Sequence, residues 1–322
     1  MTEYYDRYER RPPRSREGSL LRDLRGILNV SKSRAGSLRA QLKDIDIDSL
    51  KTRADLARVP VLRAADLKLR QHEMPPFGGA CATRPGALKR LLMSGPESFQ
   101  PYGHAKDWWN SARALFAAGI RKGDIVLNCF SYHFVADGHM IDCGCAALGC
   151  PVIPAGGADI EKTLAVIDHY EPSAYCGPAD FLNRVLEGAA KGRHRIGAIR
   201  NGFFSGADLS SDAKSDLASR NIQAYEAYAT PELGVVAYET EARDALVVNE
   251  SLIVEIVRPG TGEPLPQGQL GEIVVTRLNA DYPLLRFGTG ALSAVVPGPS
   301  PCGRTNMRIK HPVKPGEKSS LA

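Results

Sequence analysis

The stretch DIVLNCFSYHFVADGHMIDCGCAALGCPVIPAG, Asp124 to Gly156, decides the fold. DIVLNCF is a short apolar run with β-branched residues, which reads as a strand buried on both faces. GHMIDCGCAALG reads as a helix that stops at its glycine, and PVIPAG reads as the next strand. A strand, a covering helix and a second strand are the repeating piece of a parallel sheet.

The same rhythm continues on either side. Upstream, SARALFAAGI (Ser111–Ile120) reads as helix. Downstream, DIEKTLAVIDHYEP, ADFLNRVLEGAAKG and SSDAKSDLASR read as helices, interleaved with the strands SAYCGP, AIRNGFFSG and IQAYEAYA. Residues 91–244 are therefore expected to form an alternating α/β part, with ligands beyond the C-terminal strand ends. From residue 245, SLIVEIV and EIVVTRL flank the Pro/Gly-rich RPGTGEPLPQGQLG, and 245–310 read as a β-rich, antiparallel part of the same large domain. Residues 1–90 are basic and helix-rich. SLLRDLRGILNVSKSRAGSLRAQL has helical apolar spacing, and LARVPVLRAADLK reads as a turn and a capped helix start. The tail, 311–322, is polar, rich in Pro and Lys, and expected to be disordered.

Composition bounds the chemistry. Hydrophobic residues at 43% and charged residues at 24% are those of a soluble globular protein. No apolar run approaches the ~18–20 residues that span a bilayer, and MTEYYDRYERRPPRSREG has no apolar signal core. Neither membrane nor secretion is expected. Four of the seven cysteines fall in CFSYHFVADGHMIDCGCAALGC, a small-residue stretch suited to reduced, buried thiols, which points to the cytoplasm. The net charge of +5 comes largely from an Arg-rich first 40 residues and a Lys-rich tail, read as solvated termini. No basic and aromatic stripe suggests nucleic acid.

YYDRYERR, LKTRADLARVPVLRAADLK, SGAD, AYEAYATPELG and PGTGEPLPQGQLGEIVVTRLNADYPLLRFGTGALS carry a resemblance in their order and spacing. The chain resembles the phenylacetate–coenzyme A ligases, a family of adenylate-forming acyl-CoA synthetases, over most of its length. The likeness implies the large N-terminal domain of such a ligase: α/β, mainly parallel sheets flanked by helices, plus a C-terminal antiparallel β segment. It implies ATP and Mg, coenzyme A as co-substrate and a small aryl or acyl carboxylate as substrate. In that family ATP converts the carboxylate to a mixed anhydride with AMP, and the coenzyme A thiolate then displaces AMP.

Motif by motif, the resemblance is uneven. The family's phosphate loop, S-S-G-T-T-G-x-P, corresponds to MSGPESFQP, which keeps Ser94 and Gly95. Pro96 removes an N–H, Glu97 sets a negative charge where phosphate would lie, and Phe99 adds bulk. FFSGADLS resembles the segment along the adenine ring, with Gly206, Ala207 and Asp208 in motif positions, or with Asp208 or Ser210 as a helix cap. AYATPE stands at Y-G-[LM]-[ST]-E, so Tyr228 matches and Glu232 is the candidate magnesium ligand. P-L-I-R-Y-R-T-G-D-L corresponds to PLLRFGTGAL, where Ala291 replaces the aspartate that grips the ribose hydroxyls and Gly288 replaces an arginine. Tyr132 stands where the family lines its acyl pocket.

Some relatives hold a structural zinc at P-G-P-C-P-C-G-R-T. Here Ser300 replaces one cysteine, Cys302 remains, and Thr240 and Val247 take the other ligand positions, so no zinc is expected. The family continues through R-I-x-G-R-x-D-D into a lid domain with a catalytic lysine. RIKHPVKPGEKSSLA departs from that pattern, and the lid is expected to be absent here or supplied by a separate polypeptide. His133 and His139 read as structural, Asp137 and Asp142 are not spaced as a metal pair, and Cys143 and Cys145 read as small apolar groups. The resemblance thus implies a phenylacetate–coenzyme A ligase-like protein with impaired ATP chemistry. The alternative is a non-catalytic relative acting as a binding or scaffolding module, beside an active ligase.

Overall fold

Proline at the first helical position starts α1 (Pro13–Ser31), whose leucines at 20, 21, 24 and 28 form one buried stripe. The structure, a computed structural model, describes residues 3–95, 97–192, 194, 196–206 and 209–314. The chain continues through α2 (Gly36–Gln41), α3 (Arg53–Ala57), β1 (Leu62–Arg63), α4 (Ala64–Glu73), β2 (Arg90–Ser94) and β3 (Ser98–Tyr102). The α/β part follows as α5 (Ala112–Ala117), β4 (Val126–Asn128), α6 (Asp137–Leu148), β5 (Val152–Pro154), α7 (Ile160–Tyr170), β6 (Ala174–Cys176), α8 (Ala179–Gly192), β7 (Asn201–Ser205), α9 (Ser211–Ser219), β8 (Gln223–Thr230) and β9 (Gly234–Tyr238). The last strands are β10 (Leu246–Val248), β11 (Leu252–Val257), β12 (Gly271–Arg277), β13 (Leu284–Ser293), β14 (Val295–Val296) and β15 (Arg308–Ile309).

Two compact units result: Ala105–Asp244 with the first residues to Tyr5, and Asp6–His104 with Ala245 onward. In the first, β5, β4, β6, β7 and β8 pair in parallel in that order, and β9 adds antiparallel to β8. The helices are set by local chemistry. Asp159 caps α7 by accepting from the Lys162 amide at 2.8 Å, Ser210 caps α9, and α6 ends at Gly149 in left-handed backbone. Leu127, Leu164, Ile167, Tyr175, Leu182 and Phe204 anchor its core.

In the second unit β1, β13, β12 and β11 form a four-stranded sheet, with β1 parallel to β13 and the rest antiparallel. β10, β15 and β14 pair antiparallel, and β2 and β3 form a hairpin. The helix start expected in LARVPVLRAADLK differs. Arg63 precedes α4 without a side-chain cap, whereas Thr52 and Asp55 form a capping box on α3. The basic N-terminus also differs from a solvated segment. Arg16, 4% exposed, donates to both oxygens of Glu250 at 2.9 and 3.0 Å and to the Thr305 carbonyl at 2.9 Å. Arg304 donates to buried Glu9 at 2.6 Å. Partners more than 230 residues away in sequence turn part of this charge inward. The tail expected at 311–322 lies from residue 315 outside the described residues. Among the described residues no helix is long and apolar enough to cross a membrane.

Candidate active site

An open cleft lies beyond the C-terminal ends of β4, β7 and β8. That is where a parallel sheet presents loop backbone and side chains to a ligand. Its walls are Phe130, Met140, Ile141 and Phe203, with Asp137, Ser205 and Thr230 as the polar groups.

The loop after β4 is braced from behind. Buried Asn128 donates to the Tyr132 hydroxyl at 2.7 Å and to the Gly138 carbonyl at 2.9 Å. The Tyr132 hydroxyl in turn donates to Asp142 at 2.6 Å, and its ring meets His139 edge-on at 5.2 Å. Tyr132 therefore holds the loop in shape, and Phe130 and the α6 side chains supply the apolar wall.

On the opposite side Ser205 and Gly206 reach the cleft from the end of β7. Gly206 has φ +96, and among the described residues beyond its chain neighbours no heavy atom lies within 4 Å of where a Cβ would stand. A flat ring fits against such bare backbone. Ala207 and Asp208 lie outside the described residues. Ser210, the other capping candidate, does cap α9, accepting from the Ala213 amide at 3.1 Å. Ala229, Thr230 and Pro231 complete the cleft, with half-buried Tyr228 and Glu232 on either side of them in sequence.

Sequence reasoning missed the group that fixes this loop. Glu226, 5% exposed, accepts from the Leu209 amide at 2.6 Å and pairs with Lys214. Lys214 also donates to buried Glu239 at 2.8 Å, and Glu239 accepts from Arg243 at 3.1 Å. The signal was a single glutamate inside the apolar strand IQAYEAYA: a charge in a covered sheet needs partners.

In the second unit the phosphate-loop position is a tight hairpin. Ser94 faces Ser98 across it, and Gly95 and Glu97 both have left-handed backbone, φ 55 and 56. Pro96 lies outside the described residues. Buried Gln71 grips Phe99 at both ends, donating to its carbonyl at 2.7 Å and accepting from its amide at 2.9 Å. Ser94 is buried, and its hydroxyl has no hydrogen-bond partner among the described residues. A short turn with a carboxylate at its tip does not fit a triphosphate. At the ribose position the Thr289 hydroxyl donates to the Ile273 carbonyl at 3.0 Å and accepts from the Ala291 amide at 3.2 Å. The nearby acid, buried Glu272, is committed to Arg63 and to the Gly290 amide at 3.3 Å. In the first unit the bare backbone of Gly206 suits a flat ring, whereas in the second unit neither the Glu97 turn nor Ala291 offers a donor or acceptor set suited to phosphate or ribose. Ser300 and Cys302 are hydrogen-bonded to each other at 3.1 Å, a hydroxyl–thiol pair and a poor zinc set. All seven cysteines are free, and burial pushes the Cys129 and Cys143 thiols up to about 12.

Residues 103–279 match the family model described as AMP-binding enzyme. The chain is 29% identical over 283 residues to the phenylacetate-coenzyme A ligase of Aromatoleum evansii, covering 83% of this chain and 62% of that protein. It is 31% identical over 267 residues to the phenylacetate-coenzyme A ligase of Pseudomonas putida, covering 78% of this chain and 60% of that one. The chain thus spans about three-fifths of the length of these curated relatives. In fold it matches an open conformation of 2-hydroxyisobutyryl-CoA ligase in complex with 2-HIB-AMP and CoA. The TM-score is 0.86 at 23% identity, covering 94% of this chain and 70% of that one. The family match covers more than half of the chain, and the chain belongs to the AMP-binding enzyme family.

Proposed function

We propose that this chain holds a small aryl or acyl carboxylate in the cleft and activates it as a phenylacetate–coenzyme A ligase does, but poorly. One observation carries the reading: apolar walls at Phe130, Met140, Ile141 and Phe203 meet the bare backbone of Gly206 in a single cleft. An apolar pocket with a few polar groups suits an aryl or acyl group. The impairment rests on Ala291, which offers no carboxylate to a ribose, and on Glu97, which opposes a phosphate. Glu232 is the proposed magnesium ligand, and coenzyme A the proposed acyl acceptor. A second reading, a non-catalytic binding module that partners an active ligase, is favoured by the closed hairpin that Gln71 clamps at Phe99.

ATP–pyrophosphate exchange over a panel of aryl and acyl acids tests the proposal. The expected result is slow, acid-dependent exchange that keeps rising into millimolar Mg-ATP. Fast exchange saturating at micromolar ATP contradicts the impairment. No acid-dependent exchange at any ATP concentration selects the binding module instead.

A further inference from the structure

Building on the reading of the cleft as an acyl pocket, we infer that Asp137 selects carboxylic acids bearing a hydrogen-bond donor, a hydroxyl or amino group, at the end remote from the carboxylate. Asp137 is the only ionisable side chain among the described residues that line the cleft. Phe130, Met140 and Ile141, which line the same cleft, are apolar. The carboxyl has no hydrogen bond or ion pair among the described residues, and it does not cap α6, whose N-cap residue is Ala136. Asp137 is exposed at the cleft, yet partial burial among these apolar groups pushes its carboxyl above the usual carboxylate range. An unpaired carboxylate beside apolar walls gains from a ligand that donates to it, because a charge-assisted hydrogen bond is stronger than a neutral one.

The same charge orients the ligand. Like charges repel, so the substrate carboxylate turns away from Asp137. The hydroxyls of Ser205 and Thr230, which line the same cleft, can donate to it there. The far end of the acid is then left beside Asp137. Methyl-tipped acids would strip water from that carboxylate and return nothing. The plain structural role of an acid in the first turn of α6 is to complement the helix dipole. That role predicts an effect on stability and none on the choice of acid.

Direct binding to the full chain separates the two, using phenylacetate and its para-methyl, para-hydroxy and para-amino derivatives as calorimetric probes. The hydroxy and amino acids are expected to bind about tenfold or more tighter than the methyl acid of similar size. Asp137→Leu should erase or invert that order. Asp137→Asn, which keeps the shape and loses the charge, should shrink it and serves as the test if the leucine variant fails to fold. Equal binding of methyl and hydroxy acids to the native chain overturns the inference, as does a preference that survives both substitutions. Failure of every probe to bind overturns it too. Acid-dependent exchange with aliphatic acids would in that case leave the ligase reading standing.

Discussion

Repairing both lesions in the second unit is expected to raise Mg-ATP affinity by roughly a hundredfold or more. Ala291→Asp returns an acid that can accept from two ribose hydroxyls, about 1.5–3 kcal/mol for each charge-assisted bond. Ala291 is half-exposed, so the carboxylate can be added without displacing core. The second repair is a Gly/Thr/Ser loop grafted between Ser94 and Ser98, which supplies amide donors and removes Glu97. The hairpin dictates its limits. β3 begins at Ser98, and the Gln71 clamp on Phe99 must be kept. The two repairs address different groups of one nucleotide, the ribose and the phosphates, so the gains should be roughly additive. Calorimetry on the double variant, with circular dichroism to confirm folding, checks this. A folded variant that still ignores ATP would contradict the assignment of these two positions to nucleotide contacts.

Glu250→Ala is expected to cost about 3–5 kcal/mol of stability, because it strands buried Arg16 without its counter-charge. The Glu250 carboxylate also accepts from Arg11 at 3.2 Å, so two guanidinium groups lose a partner together. Denaturant unfolding measures the loss. Replacing Arg16 and Glu250 together by Met and Leu should recover much of it, since the cost lies in the unpaired charge rather than in missing attraction. A loss under ~1 kcal/mol for Glu250→Ala would show that water reaches Arg16 and that the clasp adds little.

These predictions draw on features of differing legibility. The alternating α/β part was readable because each signal is local: apolar strands covered on both faces, Asp159 and Ser210 before helices, Gly149 after one. The departures at Glu97 and Ala291 were legible because the resemblance supplies a motif against which each position can be compared. The Arg16–Glu250 clasp was not, since its partners lie 234 residues apart and nothing in either segment marks the other. For the same reason the Gln71 grip on Phe99 and the Glu226 hold on Leu209 emerge only when the fold brings them together. Tyr132 shows a subtler limit. Its place in the loop after β4 was legible, but whether its hydroxyl met a ligand or Asp142 depended on how the start of α6 closed over it.

The measurement that bears most directly on the nucleotide site is a calorimetric titration of Mg-ATP into the native chain. A hairpin with Glu97 at its tip and a methyl group at the ribose position predicts no detectable binding, or a Kd no tighter than millimolar. A micromolar Kd would contradict the account, because it would require phosphate and ribose contacts that Glu97 and Ala291 do not provide.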